Sequence, residues 1–299
     1  MRVGVILPMA EDRISGQPVG YRELRRWSLR SEALGFDTAW IYDHLLVRRP
    51  DVPDFGTWES WTVMSALAEA TTSIGLASWV TCVSWRNPAL LAKMATTLDE
   101  VSDGRLTLGL GAGNQRPEFD AFGFEYDGRV PRFEEAIRII APLIRDGKVD
   151  ARGRYHSAPE CEIRPRGPRP AGPPLLIGSD GPRMMRLTAR YADLWTCTYL
   201  GDPARLAEPR QRLAAACESE GRDPATLAIT VGEWVVFPDI NQPAPALTTW
   251  VPGAQDRLLR LLDGYRELGV AEVMLQCGPE NYDEALERLG AALSAHRGG

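Results

Sequence analysis

Short apolar runs alternate with amphipathic helical patterns from one end of the chain to the other, and this alternation restricts the fold more than any other feature. The runs are nearly continuous in apolar residues, as expected for strands buried on both faces of a parallel sheet. Between them, apolar residues recur at the helical period, as in the stripe of Phe133, Ile137, Ile140 and Ile144. Eight consecutive βα units predict the α/β class and a (β/α)₈ TIM barrel. The predicted strands span residues 3–7, 38–42, 74–81, 106–111, 175–178, 193–197, 227–235 and 272–276.

The chain has 299 residues, a length that one α/β barrel commonly occupies, so we expect a single domain over residues 1–299. Two stretches depart from the plain repeat. Residues 145–174 are rich in Gly, Pro and Arg and predict an excursion before the fifth strand. Residues 237–254 form a proline-rich loop after the seventh strand, which is either a lid over the substrate or an ordered surface loop without a role.

Charge and cysteine usage argue against several classes of function. The formal net charge is −6, and no Lys/Arg block stands apart from acidic neighbours, so a nucleic acid is not an expected partner. The five cysteines are isolated and form no C-x-x-C pair, which favours the reducing cytoplasm over a disulfide framework or a zinc site. The apolar run within residues 1–10 is too short for a signal peptide, and no segment approaches membrane-spanning length, so no membrane association is expected.

The second predicted strand ends in Tyr42-Asp43-His44, at the end of the barrel where such enzymes carry their chemistry. A carboxylate beside an imidazole serves as a proton-transfer pair or holds a polar ligand through hydrogen bonds. The other histidines are His156, in the excursion, and His296, near the C-terminus. Asp43 and His44 are therefore the candidate catalytic residues.

The third and fourth predicted strands end in residues suited to a flat heterocycle. Trp79, Val80 and Thr81 close the third strand and offer aromatic and hydroxyl groups. The fourth strand runs through a glycine-rich segment that contains Gly111 and ends at Asn114. Asn114 stands where a dinucleotide fingerprint requires its third glycine, so we interpret the segment as a close approach of backbone to a ring.

The fifth predicted strand leads into a glycine-rich turn that precedes a helix. Free amides and the positive end of the helix dipole suit a phosphate there, and an arginine adds a bidentate contact. An ordinary turn capped by its own Ser or Asp remains an open alternative. The residues concerned are Gly178, Ser179, Asp180, Gly181 and Arg183.

Taken in chain order, these motifs resemble the bacterial luciferase-like superfamily of flavin- and deazaflavin-dependent oxidoreductases. The matching segments cover nearly the entire chain, and the block at 74–113 is the most specific of them. They are residues 35–44, 74–82, 86–94, 98–106, 109–113, 132–135, 175–182 and 192–195.

The resemblance implies a non-proline cis peptide near Trp79-Val80, against which the ring system lies. It also implies that Asp43 and His44 lie beside the ring, that Thr81 and Asn114 lie near the tricycle, and that residues 178–181 bind the phosphate. One departure is that some deazaflavin dehydrogenases carry a glutamate as general acid where this chain has Asn114. His44 is therefore expected to carry any proton that the reaction moves.

The Asp43-His44 ending and residues 86–94 resemble the branch that uses coenzyme F420, so the expected reaction is hydride transfer between F420 and a small organic substrate. The alternative is an FMN-dependent monooxygenase that uses reduced flavin and oxygen. The family resemblance further implies a homodimer or higher homo-oligomer. A metal-dependent hydrolase would need a cluster of His and carboxylate ligands, which scattered histidines do not suggest. A protein that only stores or senses a flavin also remains open.

The identity of the substrate is not readable from the motifs. We expect it to be selected by four loops, at residues 8–19, 45–58, 114–130 and 237–254. Three tryptophans, Trp58, Trp61 and Trp85, either exclude water from the site or are plain packing residues.

Overall fold

In the computed structural model, which describes residues 1–12, 15–49, 52–246 and 248–298, parallel strands close into a barrel. Each strand pairs with the next along the chain, β8 returns to β1 with Arg2 opposite Glu272, and β5 pairs with β4 with Leu175 opposite Leu108. The predicted (β/α)₈ TIM barrel is thereby confirmed. The barrel strands are β1 (Arg2–Ile6), β2 (Thr38–Ile41), β3 (Gly75–Ser78), β4 (Leu106–Gly111), β5 (Leu175–Gly178), β6 (Leu194–Thr198), β7 (Ala228–Val236) and β8 (Glu272–Gln276).

Helices surround the barrel because each carries one apolar stripe that is buried against the strands. The stripe predicted around Phe133 and Ile140 is fully buried, and Asn87 caps the third helix by accepting from the amides of Ala89 and Leu90. None of the helices in the described ranges is both long and apolar enough to cross a membrane. The helices are α1 (Tyr21–Ala33), α2 (Ser60–Ala70), α3 (Pro88–Val101), α4 (Arg116–Phe122), α5 (Arg129–Arg145), α6 (Pro182–Tyr191), α7 (Ala207–Ser219), α8 (Gln255–Glu267) and α9 (Tyr282–Gly298).

The third strand is interrupted where the sequence pattern predicts one continuous strand. After β3 ends at Ser78, a cis peptide joins Trp79 to Val80, and the short strand Thr81–Cys82 then pairs with the end of β4. This cis peptide is the one that the family resemblance implies, so that expectation is confirmed.

The glycines of β4 make room for this interruption. A Cβ at Gly109 would lie 1.9 Å from the carbonyl oxygen of Ser78, and a Cβ at Gly111 would lie 2.6 Å from Val80 Cγ2. The sequence predicts that this backbone lies close to a ring. In the structure, Gly109 and Gly111 lie close to residues at the end of the third strand.

Three connections between barrel strands carry structure of their own. The excursion at 145–174 is confirmed and contains an antiparallel hairpin, Lys148–Arg152 with Ser157–Glu162, which Glu135 of α5 holds through the amides of Tyr155 and His156. A second hairpin, Leu46–Arg49 with Val52–Gly56, follows β2. The long connection after β7 contains the strand Trp250–Pro252, which pairs with β7.

Candidate active site

A cavity of about 700 Å³ lies at the C-terminal ends of β2 to β6, and we call it the large cavity. Its walls combine glycine-rich turns with aromatic, aliphatic and charged side chains. Ten of the residues predicted from the sequence border it: Asp43, His44, Trp79, Val80, Gly111, Asn114, Gly178, Ser179, Asp180 and Gly181.

Two predicted site residues, Thr81 and Arg183, do not border the large cavity. Thr81 is fully buried behind the wall, where its hydroxyl accepts a hydrogen bond of 3.2 Å from the indole of Trp61. Arg183 is exposed and pairs with Glu134, its Nε lying 2.8 Å from Glu134 Oε2. Arg183 therefore does not supply the bidentate phosphate contact in this structure.

The carboxylate of Asp43 is buried and fully used by neighbouring groups. Arg86 donates to both of its oxygens, at 2.6 and 3.0 Å, while the Ser60 hydroxyl and the Cys82 amide donate at 2.6 and 2.8 Å. Arg86 also pairs with Glu59 at 2.7 Å. Asp43 thus ties together the segments that follow β2 and β3 with the start of α2.

His44 contacts a carboxylate that the sequence analysis missed. Its Nδ1 lies 3.1 Å from Oε2 of Glu118, a buried residue in the first turn of α4. The other oxygen of Glu118 accepts from the amides of Leu45 and Leu46, so the carboxylate acts as an acceptor towards the whole segment. An acceptor at Nδ1 favours the tautomer with its proton there and leaves Nε2 for another partner.

One local signal could have pointed to Glu118. The sequence Arg116-Pro117-Glu118 follows the glycine-rich end of the fourth strand, and proline followed by an acid is typical of the first turn of a helix. The prediction treated residues 114–130 as a loop, whereas they contain α4, which carries Glu118 to His44.

The far end of the large cavity is formed by the turn that precedes α6. Among the described residues no side chain caps this helix, and the Ser179 hydroxyl instead hydrogen-bonds Thr188 Oγ1 at 2.9 Å. The capped turn considered as an alternative is therefore not what forms. Arg212 of α7 borders the same end and donates to the carbonyl of Asp180 at 3.1 Å. Arg129 of α5 also borders the cavity and donates to the carbonyl of Gly113 at 3.1 Å.

A second cavity of about 210 Å³ lies over the other half of the barrel mouth, and we call it the aromatic cavity. Its walls come from segments after β1, β2 and β8 and from β7. The predicted loops 8–19, 45–58 and 237–254 contribute to it, whereas 114–130 borders the large cavity instead. Within those loops, residues 13, 14, 50, 51 and 247 lie outside the described residues. Four residues border both cavities: His44, Arg49, Trp79 and Tyr199.

Tyr199 forms part of the wall between the two cavities. Its hydroxyl donates to Gln276 Oε1 at 2.7 Å, and its ring meets Trp79 edge-on with centroids 5.8 Å apart. Removal from water raises the pKa of the Tyr199 phenol above its usual range. Burial likewise raises the pKa of the Cys197 thiol, in the large cavity, to about 12. Both groups therefore stay protonated at neutral pH.

Of the three tryptophans considered as water-excluding groups, only Trp85 borders one of the two cavities. It packs on Phe119 and Phe124 at the edge of the large cavity. Trp61 lies in the hydrophobic core, and Trp58 is 46% exposed with its indole donating to the carbonyl of Val19. These two are packing residues in this structure.

Comparison with known proteins places these features in a family context. The model of the luciferase-like monooxygenase family matches residues 1–292. An F420-dependent glucose-6-phosphate dehydrogenase of Amycolatopsis mediterranei is 30% identical over 62% of this chain and 56% of its own length. An F420-dependent hydroxymycolic acid dehydrogenase of Mycobacterium tuberculosis is 30% identical over 76% of this chain and 63% of its own length. The aligned part of this chain thus spans about three fifths of these curated relatives.

One solved structure shares the fold over nearly the full length of both chains. It is an F420-dependent secondary alcohol dehydrogenase in complex with an F420-acetone adduct, superposed with a TM-score of 0.81 at 18% identity. The match covers 99% of this chain and 98% of that one.

Proposed function

Because the chain belongs to the luciferase-like monooxygenase family, we propose that it is an F420-dependent oxidoreductase that transfers a hydride to or from a small organic substrate. The observation that carries the proposal is that the uncapped start of α6, Val80 and His44 border one cavity. Relatives whose names include F420-dependent dehydrogenases support this coenzyme. Their names also favour a substrate carbon that bears a hydroxyl or a carbonyl group.

The chemistry of the large cavity fits a phosphate-bearing tricyclic coenzyme. The amides at the start of α6 and the guanidinium of Arg212 would hold the phosphate, since both offer positive charge and donors. A Cβ at Gly181 would meet no atom within 4 Å, so the backbone there is open to a ligand. Trp79 and Val80 would lie against the ring, as the family resemblance implies. Arg129 adds positive charge to the same cavity, which suits an anionic coenzyme.

His44 is the proton donor or acceptor in this proposal. The bound coenzyme supplies or accepts the hydride at the substrate carbon. In the reductive direction the carbonyl oxygen becomes an alkoxide as the new C–H bond forms, and the imidazolium form of His44, protonated on both nitrogens, gives it the proton of Nε2. In the oxidative direction Nε2 takes the proton of the hydroxyl group. Glu118 holds the ring through Nδ1, which keeps Nε2 turned to the partner it must serve.

Asp43 has a different role in the proposal from the one predicted for it. Its two oxygens accept four hydrogen bonds from Arg86, Ser60 and Cys82, so no lone pair is left well placed for proton transfer. We assign Asp43 to holding the segments on either side of His44 in register.

The test is a titration of the purified protein with F420 and, separately, with FMN, following the fluorescence of each coenzyme. Binding of F420 at micromolar concentration, with FMN binding weaker, is the expected result. Preferential binding of FMN, followed by oxygen uptake with the reduced flavin, would replace the proposal by the monooxygenase alternative that the family description favours. A protein that binds neither coenzyme at millimolar excess would end it.

A further inference from the structure

The aromatic cavity has walls of one chemical kind on several sides. Tyr42, Phe55, Trp79, Tyr199 and Trp234 all border it, and each is only partly buried. The rings of Tyr199 and Trp234 lie 6.2 Å apart at a tilt of 52°. Aromatic faces and edges arranged in this way favour a flat apolar group over a hydrated one.

The size of the cavity limits the occupant to about one ring. A cavity of roughly 150 Å³ is large enough to bind benzene, and the aromatic cavity measures about 210 Å³. The difference leaves room for small substituents on one six-membered ring. A long alkyl chain would have to extend beyond it.

The polar groups of this cavity offer little to a polyol. Gln276 already accepts from the Tyr199 hydroxyl at 2.7 Å. Glu11, another wall residue, accepts from the amide of Gly56 at 2.8 Å. A sugar in this cavity would lie against a wall that is mostly apolar, and each hydroxyl group left without a partner there would cost free energy.

One charged side chain in the wall, Arg49, forms an ion pair with no acid among the described residues. Arg49 is half-buried, and within the part of the chain that the structure describes its guanidinium makes no hydrogen bond and no ion pair. By contrast, Arg86 pairs with Asp43, and Arg212 pairs with Glu208. The positive charge of Arg49 also acts on the Tyr199 phenol and opposes the upward shift of its pKa that burial causes. A half-buried guanidinium beside apolar walls is suited to a bidentate contact with a carboxylate.

We propose, building on the hydride-transfer function above, that the aromatic cavity binds a substrate with one flat ring and one anionic group, and that Arg49 pairs with the anion. Arg49 and His44 border the large cavity as well. A ring seated between the aromatic walls and anchored by Arg49 therefore lies against the boundary at which His44 moves its proton.

The experiment measures binding without coenzyme, so that it does not depend on turnover. The probes are 4-acetylbenzoate, its neutral isostere 4-acetylbenzamide, and glucose 6-phosphate, each titrated into the full-length protein by calorimetry. We expect 4-acetylbenzoate to bind about tenfold more tightly than the amide, because only the acid forms the ion pair. The Arg49→Gln variant should bind both ring compounds equally, and its retained affinity for the amide shows that it is folded.

The control is Arg48→Gln, which removes a neighbouring exposed arginine that pairs with Asp54 and should leave the tenfold preference unchanged. A preference that survives Arg49→Gln, tighter binding of glucose 6-phosphate than of 4-acetylbenzoate, or loss of the preference in Arg212→Gln would each overturn the inference. Since F420 binding is measured separately, acid selectivity without F420 binding would sink the proposed function and leave this inference standing. F420 binding without acid selectivity would overturn this inference and leave the proposed function standing.

Discussion

The large cavity and the aromatic cavity share one mouth of the barrel but are built from different parts of the chain. The large cavity is lined in part by glycine-rich backbone, at the end of β4 and in the turn before α6, and by Val80. The aromatic cavity is shaped by side chains on loops and on β7. A backbone requirement admits few residue types, so it leaves a readable motif, whereas a ring-lined wall can be made by many combinations of residues.

His44 is one of the residues that border both cavities, and its substitution is expected to have the largest effect. His44→Ala should lower turnover by about 10²–10⁴, the range expected for loss of a general acid or base, while F420 affinity stays close to that of the wild type. Steady-state kinetics and a fluorescence titration measure the two effects separately. Unchanged turnover would remove His44 from the mechanism and leave the two cavities without a shared catalytic group.

Asp43 tests whether the large cavity depends on a buried scaffold. Asp43→Ala should lower the free energy of unfolding by about 3 kcal/mol, the lower end for breaking a buried ion pair, because Arg86 keeps its contact with Glu59. Urea unfolding measures this loss. The matched control, Asp54→Ala, removes an exposed partner of Arg48 and should have little effect. Equal effects of the two variants would contradict the scaffold role.

Substitutions of Glu118 distinguish a role in orienting His44 from a role in binding the substrate. Glu118→Gln removes one acceptor oxygen from a carboxylate that serves His44, Leu45 and Leu46, so we expect kcat to fall about 10–100-fold with little change in KM. Glu118→Asp keeps the charge and should recover part of the rate. If KM changes and kcat does not, Glu118 shapes the binding wall instead of orienting His44.

Two arginines distinguish the sequence-based phosphate site from the one in the structure. Arg212→Ala should weaken F420 binding about tenfold, since it removes a charged donor from the end of the large cavity. Arg183→Ala should change the affinity less than twofold, because Arg183 pairs with Glu134 away from the cavity. Dissociation constants at two salt concentrations provide the measurement, and the reverse ranking would favour the sequence-based assignment.

The smallest expected effect concerns Glu233, a buried residue of β7, and the pH dependence of stability. Burial raises the pKa of Glu233, although Tyr265 and the Gly201 amide donate to it. A raised pKa in the folded state means that protonation stabilises the fold at low pH, and that this contribution is lost as the pH rises through the folded-state pKa. Relative to Glu233→Gln, the wild type should therefore lose stability as the pH rises from 4.5 to 8. Thermal unfolding across that range measures it, and parallel profiles would refute it.

The sequence-based predictions succeed where the determining interactions are local. The order of strands and helices follows from apolar periodicity. Ten predicted site residues border the large cavity because strand ends meet at one end of a parallel barrel. Their functional roles remain proposals.

The predictions that failed concern backbone geometry and contacts between residues far apart in the sequence. The apolar pattern of residues 74–81 does not itself indicate the interruption after Ser78, and only the family resemblance led us to expect a cis peptide there. Arg183 follows the phosphate turn directly in sequence, yet its side chain lies on the outer face of α6 and meets Glu134 there. Arg212, which borders the cavity, comes from a different helix.

The sequence by itself determined the barrel, its family and the half of the mouth that carries the glycine-rich turns. Only the tertiary structure decided which side chains meet, as His44 meets Glu118 across 74 positions and Trp79 meets Tyr199 across the boundary of two cavities. The physical reason is that periodicity and turn chemistry act over a few neighbouring residues, whereas pairing across the mouth depends on how eight strands close.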